Sequence, residues 1–197
     1  MEELEKKYQL IKEEINHCKK CSLWRTRINP VPGEGSLEAK IMFIGEAPGA
    51  NEDREGRPFC GSAGKILDYL LNLINIKRQE IFITNILKCR PPQNRDPQKE
   101  EIKECIPYLE RQIDLIKPKI ICTLGNYATN YILGKYGFSN RIQGISKIHG
   151  EVFEARSLFQ SLKIVPLYHP AVVTYNPNMK PILEKDFLKI KEVIKEI

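Results

Sequence analysis

Four short apolar runs, separated by helical patterns, constrain this chain more than any other feature. They are Lys40-Ile41-Met42-Phe43-Ile44, Glu80-Ile81-Phe82-Ile83-Thr84, Lys119-Ile120-Ile121-Cys122-Thr123-Leu124 and Lys163-Ile164-Val165-Pro166-Leu167. A strand wetted on one face alternates apolar and polar residues. An unbroken apolar run marks a strand buried on both faces, as in parallel sheets. The last run holds Pro166, which has no amide to give a ladder, so that strand is expected to bend or to lie at an edge. Residues 2–16 read as an amphipathic helix, and a loop rich in Pro and Gly follows at 29–36. Residues 63–74 have helical apolar spacing. Residues 97–116 read as a helix with Asp96 as N-cap and Pro97 at its first position, stopped by Lys117-Pro118. Residues 126–133 suggest another helix. The stretch 181–197 places Leu183, Phe187, Ile190, Ile194 and Ile197 on one side. Strands alternating with helices imply an α/β layer fold with a parallel sheet. A chain of 197 residues is expected to form one domain, 1–197.

In such sheets ligands sit beyond the carboxyl ends of the strands. The first run is followed by Gly45-Glu46-Ala47-Pro48-Gly49, the second by Asn85, the third by Gly125-Asn126 and the fourth by Tyr168-His169-Pro170. These segments are expected to converge on one edge of the sheet.

Four cysteines are spaced like metal ligands. Cys18 and Cys21 form a C-x2-C pair, and Cys89 and Cys105 form a C-x15-C pair. Two thiolates from one tight turn suit a tetrahedral site. Thiolates without histidine favour zinc or an iron–sulfur cluster, and spacing does not separate the two. Disulfides and ordinary buried thiols are the alternatives. Cys105 falls on the apolar stripe Ile102, Cys105, Ile106, Leu109, Ile113, Ile116, which also suits a core residue. Cys122 reads as core, and Cys60 borders a loop of the expected site.

The charged N-terminus Met1-Glu2-Glu3-Leu4-Glu5-Lys6-Lys7 is unlike a signal peptide, and no run is long enough to span a bilayer. A cytoplasmic location, where thiols stay reduced, is the expectation. The net charge of +6, from 31 basic and 25 acidic residues, is compatible with a polyanionic partner without being diagnostic of one. Richness in Lys, Glu and Ile resembles thermophile proteins.

Several motifs together resemble the family 4 uracil-DNA glycosylases, thermostable iron–sulfur enzymes of archaea and some bacteria. They are Gly45-Glu46-Ala47-Pro48-Gly49, Gly56-Arg57-Pro58-Phe59 with Gly61 and Ala63-Gly64, Thr84-Asn85-Ile86-Leu87-Lys88-Cys89-Arg90-Pro91-Pro92, Asn94-Arg95-Asp96-Pro97 and His169-Pro170-Ala171. The resemblance runs from about Cys18 to near the C-terminus. It implies a three-layer α/β/α sandwich around a central four-stranded parallel sheet. It implies a monofunctional enzyme of base excision repair that flips deoxyuridine out of DNA, hydrolyses its N-glycosidic bond and leaves an abasic site. It also implies a [4Fe-4S] cluster on Cys18, Cys21, Cys89 and Cys105. A monomer is expected. Archaeal repair enzymes commonly dock on a sliding clamp, although no docking motif stands out here.

The resemblance assigns Gly45, Glu46, Phe59, Asn85 and His169 to uracil, with Glu46 and His169 catalytic. The residue types suit the chemistry. Phe59 offers a ring for stacking, with ordinary core as its alternative. The Asn85 carboxamide can accept from uracil N3–H and donate to O4, a pattern that cytosine reverses. A neutral His169 can donate to O2 as charge develops there. Glu46 suits an attacking water or an oxocarbenium-like sugar. Better-known uracil-DNA glycosylases carry an aspartate where Ala47 stands, and a bulky thymine-excluding residue where Gly49 stands. Asp53 is a back-up carboxylate or, with Glu52 and Glu55, a solvated loop charge. Ser62 and Gly64 open a helix whose amides could hold a phosphate. Val172 and Val173 correspond to the loop that enters DNA. Lys88, Arg90 and Arg95 are either phosphate contacts or solvated surface. A non-enzymatic DNA-binding module, an electron-transfer protein and a glycosylase for another base compete with the main reading. The presence of both Asn85 and His169 argues against the first.

Overall fold

The computed structural model describes residues 2–156 and 161–196. Among them, β1 (Glu34–Gly35), β2 (Ile41–Gly45), β3 (Phe82–Asn85), β4 (Ile120–Leu124), β5 (Phe153–Arg156) and β6 (Ser161–Leu167) form one sheet in the order β1-β3-β2-β4-β6-β5. The four central strands are the four apolar runs of the sequence, and they pair in parallel. Two short antiparallel strands were not foreseen. β1 closes one edge against β3, and β5 closes the other against β6. Neither has an apolar run, because an edge strand buries little.

The helices are α1 (Glu2–His17), α2 (Ala50–Glu55), α3 (Ser62–Leu73), α4 (Lys99–Ile116), α5 (Asn126–Lys135), α6 (Ile145–Ile148), α7 (Val172–Tyr175) and α8 (Lys180–Ile194). Side chains of a strand point alternately to its two faces. Met42 and Ile44 therefore enter a core with Ile11 of α1, Leu109 of α4 and Ile132 of α5. Ile41 and Phe43 enter the opposite core with Leu67 of α3 and Phe187 of α8. Phe43 and Phe187 stack at 5.9 Å. Two helical layers thus sandwich the sheet, and the unbroken apolar runs follow from burial on both sides. Cys122 is fully buried. No described helix is long and apolar enough to cross a membrane.

Three boundaries differ from the sequence reading. Pro166 lies in a strand with neighbours on both sides, but pairing with β5 stops at Ile164, so its missing amide faces no partner there. α4 begins later than expected. Its N-cap is Gln98, whose amide donates to Glu101 Oε2 at 2.8 Å in a capping box, and Asp96 is left outside the helix. α8 ends at Ile194, and Ile197 lies outside the described residues.

Candidate active site and cysteine pocket

β2 and β3 run in parallel with Gly45 opposite Asn85, and the Ile86 amide donates to the Gly45 carbonyl at 2.9 Å. This register ends both strands at the same level. Glu46, Asn85 and His169, from three strand ends, line one open cavity of about 390 Å³ together with Phe59 and Tyr175.

Asn85 is 1% exposed, and its Oδ1 is the buried side-chain oxygen without a hydrogen-bond partner among the described residues. Buried acceptors are ordinarily satisfied, and this residue lines the cavity, so its orphan oxygen marks a place for a ligand donor. Gly45 lets this group approach. A Cβ there would collide with Asn85 Oδ1 and lie 2.9 Å from Phe59 Cζ. Phe59 is buried and stacks on His169 with ring centroids 5.4 Å apart. It holds φ at +48°, a left-handed conformation unusual for a bulky residue. Gly64 explains how that turn is accommodated, since a Cβ at 64 would collide with the Phe59 carbonyl. Gly64 is buried, so its place is in packing, and Ser62 is the member of that pair that lines the cavity.

The Ala171 amide donates to His169 Nδ1 at 3.2 Å, leaving the proton of the neutral ring on Nε2. Burial pushes the imidazole down to about 4, against a smaller opposing pull from Glu52. The ring is therefore neutral at pH 7. Glu46 is half-buried, and its carboxyl is raised above the usual range, chiefly by burial and then by Asp96.

Several loop residues stand elsewhere than expected. Asp53 is buried and accepts from the Ile28 amide at 2.9 Å, so it is neither a solvated charge nor a spare catalytic carboxylate. Glu52, which also looked like a loop charge, lines the cavity. Its Oε1 accepts from the Cys60 and Gly61 amides at 3.0 and 2.9 Å. Those amides at the mouth of α3 are thereby occupied. Glu52 also fills the space beside Gly49, whose Cβ would lie 2.7 Å from Glu52 Oε2. No sequence signal separated Glu52 from its acidic neighbours. Val172 and Val173 are partly buried against the core, and the exposed apolar side chain at the cavity mouth is Tyr175, 86% exposed. Arg95 lines the cavity but is paired with Glu101, and Lys88 is buried rather than at the surface.

Cys18, Cys21, Cys89 and Cys105 line a second, narrow pocket where the end of α1 meets α4, and all six cysteines are free. Cys60 and Cys122 lie outside it. Arg27 Nη1 donates to Cys89 Sγ at 3.0 Å, and the Lys88 amide donates to Cys105 Sγ at 3.2 Å. Four sulfurs around one space, two of them already facing N–H donors, fit a thiolate-bound group. Among the described residues, no three side chains are gathered as they would be about a single metal ion.

The model of the uracil DNA glycosylase superfamily matches residues 32–195. The chain belongs to that superfamily. It is 52% identical to the type-4 uracil-DNA glycosylase of Sulfurisphaera tokodaii over 98% of this chain and 86% of the relative. Identity is 44% to the type-4 enzyme of Archaeoglobus fulgidus, covering 93% and 91% of the two chains. It is 35% to that of Thermotoga maritima, covering 95% of each. Within the superfamily framework, Gly45 is the position at which the sheet and the cavity constrain each other. Gly45→Ala is expected to fold, at a cost of about 1–3 kcal/mol from overpacking. It is expected to lose roughly 100-fold in uracil excision through displacement of Asn85 and Phe59. Thermal unfolding and single-turnover assays measure the two effects, and unchanged excision would refute this view of the site.

Proposed function

We propose that this chain, acting as one domain, is a monofunctional uracil-DNA glycosylase of base excision repair. It binds uracil-containing DNA, takes the flipped deoxyuridine into the cavity, hydrolyses the N-glycosidic bond and leaves an abasic site. The observation that carries this reading is the unpartnered Asn85 Oδ1. Uracil offers N3–H to that oxygen and O4 to the amide NH2, whereas cytosine presents an acceptor at N3 and a donor at C4. A buried polar group matched to one pattern penalises the other strongly. Phe59 supplies a face for the base.

Bond cleavage leaves negative charge on the departing uracil, much of it at O2. The Nε2–H of a neutral His169 stabilises that charge as it develops, without presenting a full positive charge to the ground state. Glu46, from the end of β2, suits the sugar side as a carboxylate that orients water or balances the oxocarbenium-like sugar. Tyr175 at the mouth is placed to meet the DNA from which the base has left.

For the cysteine pocket we propose a [4Fe-4S] cluster held by Cys18, Cys21, Cys89 and Cys105, with Arg27 and the Lys88 amide donating to its sulfurs. Such a cluster, when bound, ties α1 and α4 to the loop after β3 and supplies no step of the hydrolysis. The purified protein is expected to be brown, with broad visible absorption. A colourless protein carrying zinc would overturn the cluster.

The decisive assay uses an oligonucleotide with one deoxyuridine beside thymine and cytosine controls, followed by alkali. A strand break at uracil alone, and only after alkali, is expected. His169→Ala is expected to lower the rate by about 10²–10³-fold. Because His169 stays neutral down to about pH 4, the rate should show no step near its ordinary value. The acid limb should instead follow Glu46, which must be ionised and whose carboxyl is raised. Glu46→Gln should abolish that limb along with most activity. An intact strand under conditions where the folded protein binds DNA would contradict the enzymatic reading.

A further inference from the structure

We propose that Lys88 is a positioning residue for base recognition, whose buried side-chain amino group holds the Asn85 peptide and ties it to the four-cysteine pocket. The proposal rests on the uracil reading of Asn85 given above.

Lys88 is 1% exposed, and none of its hydrogen-bond partners is a carboxylate. A buried amino group is costly unless its hydrogen-bonding capacity is met. Lys88 Nζ has three oxygen partners, Thr84 Oγ1 at 2.6 Å, the Asn85 carbonyl at 2.7 Å and Gln112 Oε1 at 2.8 Å. Two of these partners are anchored in turn on the Pro32 carbonyl, by Thr84 Oγ1 at 3.0 Å and by Gln112 Nε2 at 2.7 Å. These bonds form one buried network that joins Asn85 to Pro32.

The Asn85 Oδ1 has no bond of its own, so the aim of the carboxamide is inherited from its backbone and its packing. That backbone is pinned on both sides. On one side the Ile86 amide reaches Gly45, and on the other the Lys88 amino group reaches the Asn85 carbonyl. Lys88 is in turn fixed at its own backbone, where its amide donates to Cys105 Sγ and its carbonyl accepts from the Val31 amide at 2.7 Å. The next residue, Cys89, is in the cysteine pocket. Lys88 therefore couples the order of that pocket to the order of the base-reading group. Simple core filling does not account for the side chain, since a methionine would fill the space without the cost of burying an amino group.

The test compares Lys88→Met with Gln112→Leu in the whole chain as purified. Both variants remove polar bonds from the same network, but only the first frees the Asn85 carbonyl. The readouts are affinity for free uracil by calorimetry, kcat and KM on a single-deoxyuridine oligonucleotide, visible absorption and thermal unfolding. Lys88→Met is expected to bind free uracil roughly tenfold or more weakly, while Gln112→Leu stays within about twofold of wild type despite lower stability. If Lys88→Met fails to fold, the double variant Lys88→Met/Gln112→Leu, which leaves no acceptor facing an absent amino group at 112, takes its place in the comparison. Equal weakening in the Lys88 and Gln112 variants would show a merely structural network and overturn the proposal. So would wild-type uracil affinity in a folded Lys88 variant. A wild-type protein that neither excises nor binds uracil would instead overturn the functional reading itself.

Discussion

The register between β2 and β3 is the constraint on which the site depends. It places Gly45 opposite Asn85 at the carboxyl edge of a parallel sheet buried on both faces. Because both strands are sealed by helices, their ends are the first places where the chain meets solvent, and the site residues follow there in sequence. The glycine leaves a space that the Asn85 carboxamide and the Phe59 ring fill from two directions. Phe59 in turn needs a left-handed turn and a glycine at 64 beneath its carbonyl. Each of these concessions costs stability, and each makes sense if the cavity must hold a flat ring against a fixed hydrogen-bonding edge.

The electrostatics suit departure of an anionic base. His169 is held neutral by burial, with its free N–H on Nε2 set by the Ala171 amide. Glu46 is a half-buried carboxylate in the same cavity, which Glu52 also lines. In the proposed reaction, a neutral donor on the base side and a carboxylate on the sugar side would stabilise opposite charges as they separate. Glu52 has an architectural share in this arrangement. It binds the amides that precede α3 and so fixes the loop that carries Phe59.

The sheet was legible because burial on both faces leaves an unbroken apolar run, and all four central strands were read that way. β1 and β5 were not, since short edge strands bury too little to leave a pattern. Asp96 looked like the cap of α4, but the Gln98–Glu101 box met the helix amides better and shifted the start. The strand-end residues Asn85, Glu46 and His169 were legible from position and motif. Glu52, Asp53 and Lys88 were misread for one reason. A charged side chain in a polar loop or beside a cysteine looks solvated, and only tertiary contacts show that Asp53 caps amides from a distant loop and that Lys88 is buried among neutral acceptors. That Cys18, Cys21, Cys89 and Cys105 share one pocket was legible from their spacing, but the donors to their sulfurs, Arg27 among them, were not.

The central claim is that the orphan Asn85 oxygen reads the N3–H of uracil. The most direct measurement compares the affinity of the protein for free uracil and for N3-methyluracil, which differ in that one donor. Uracil is expected to bind and the methylated base to lose at least about 100-fold, because methylation both removes the donor and forces a methyl group against a buried acceptor. Equal affinity for the two bases would contradict it.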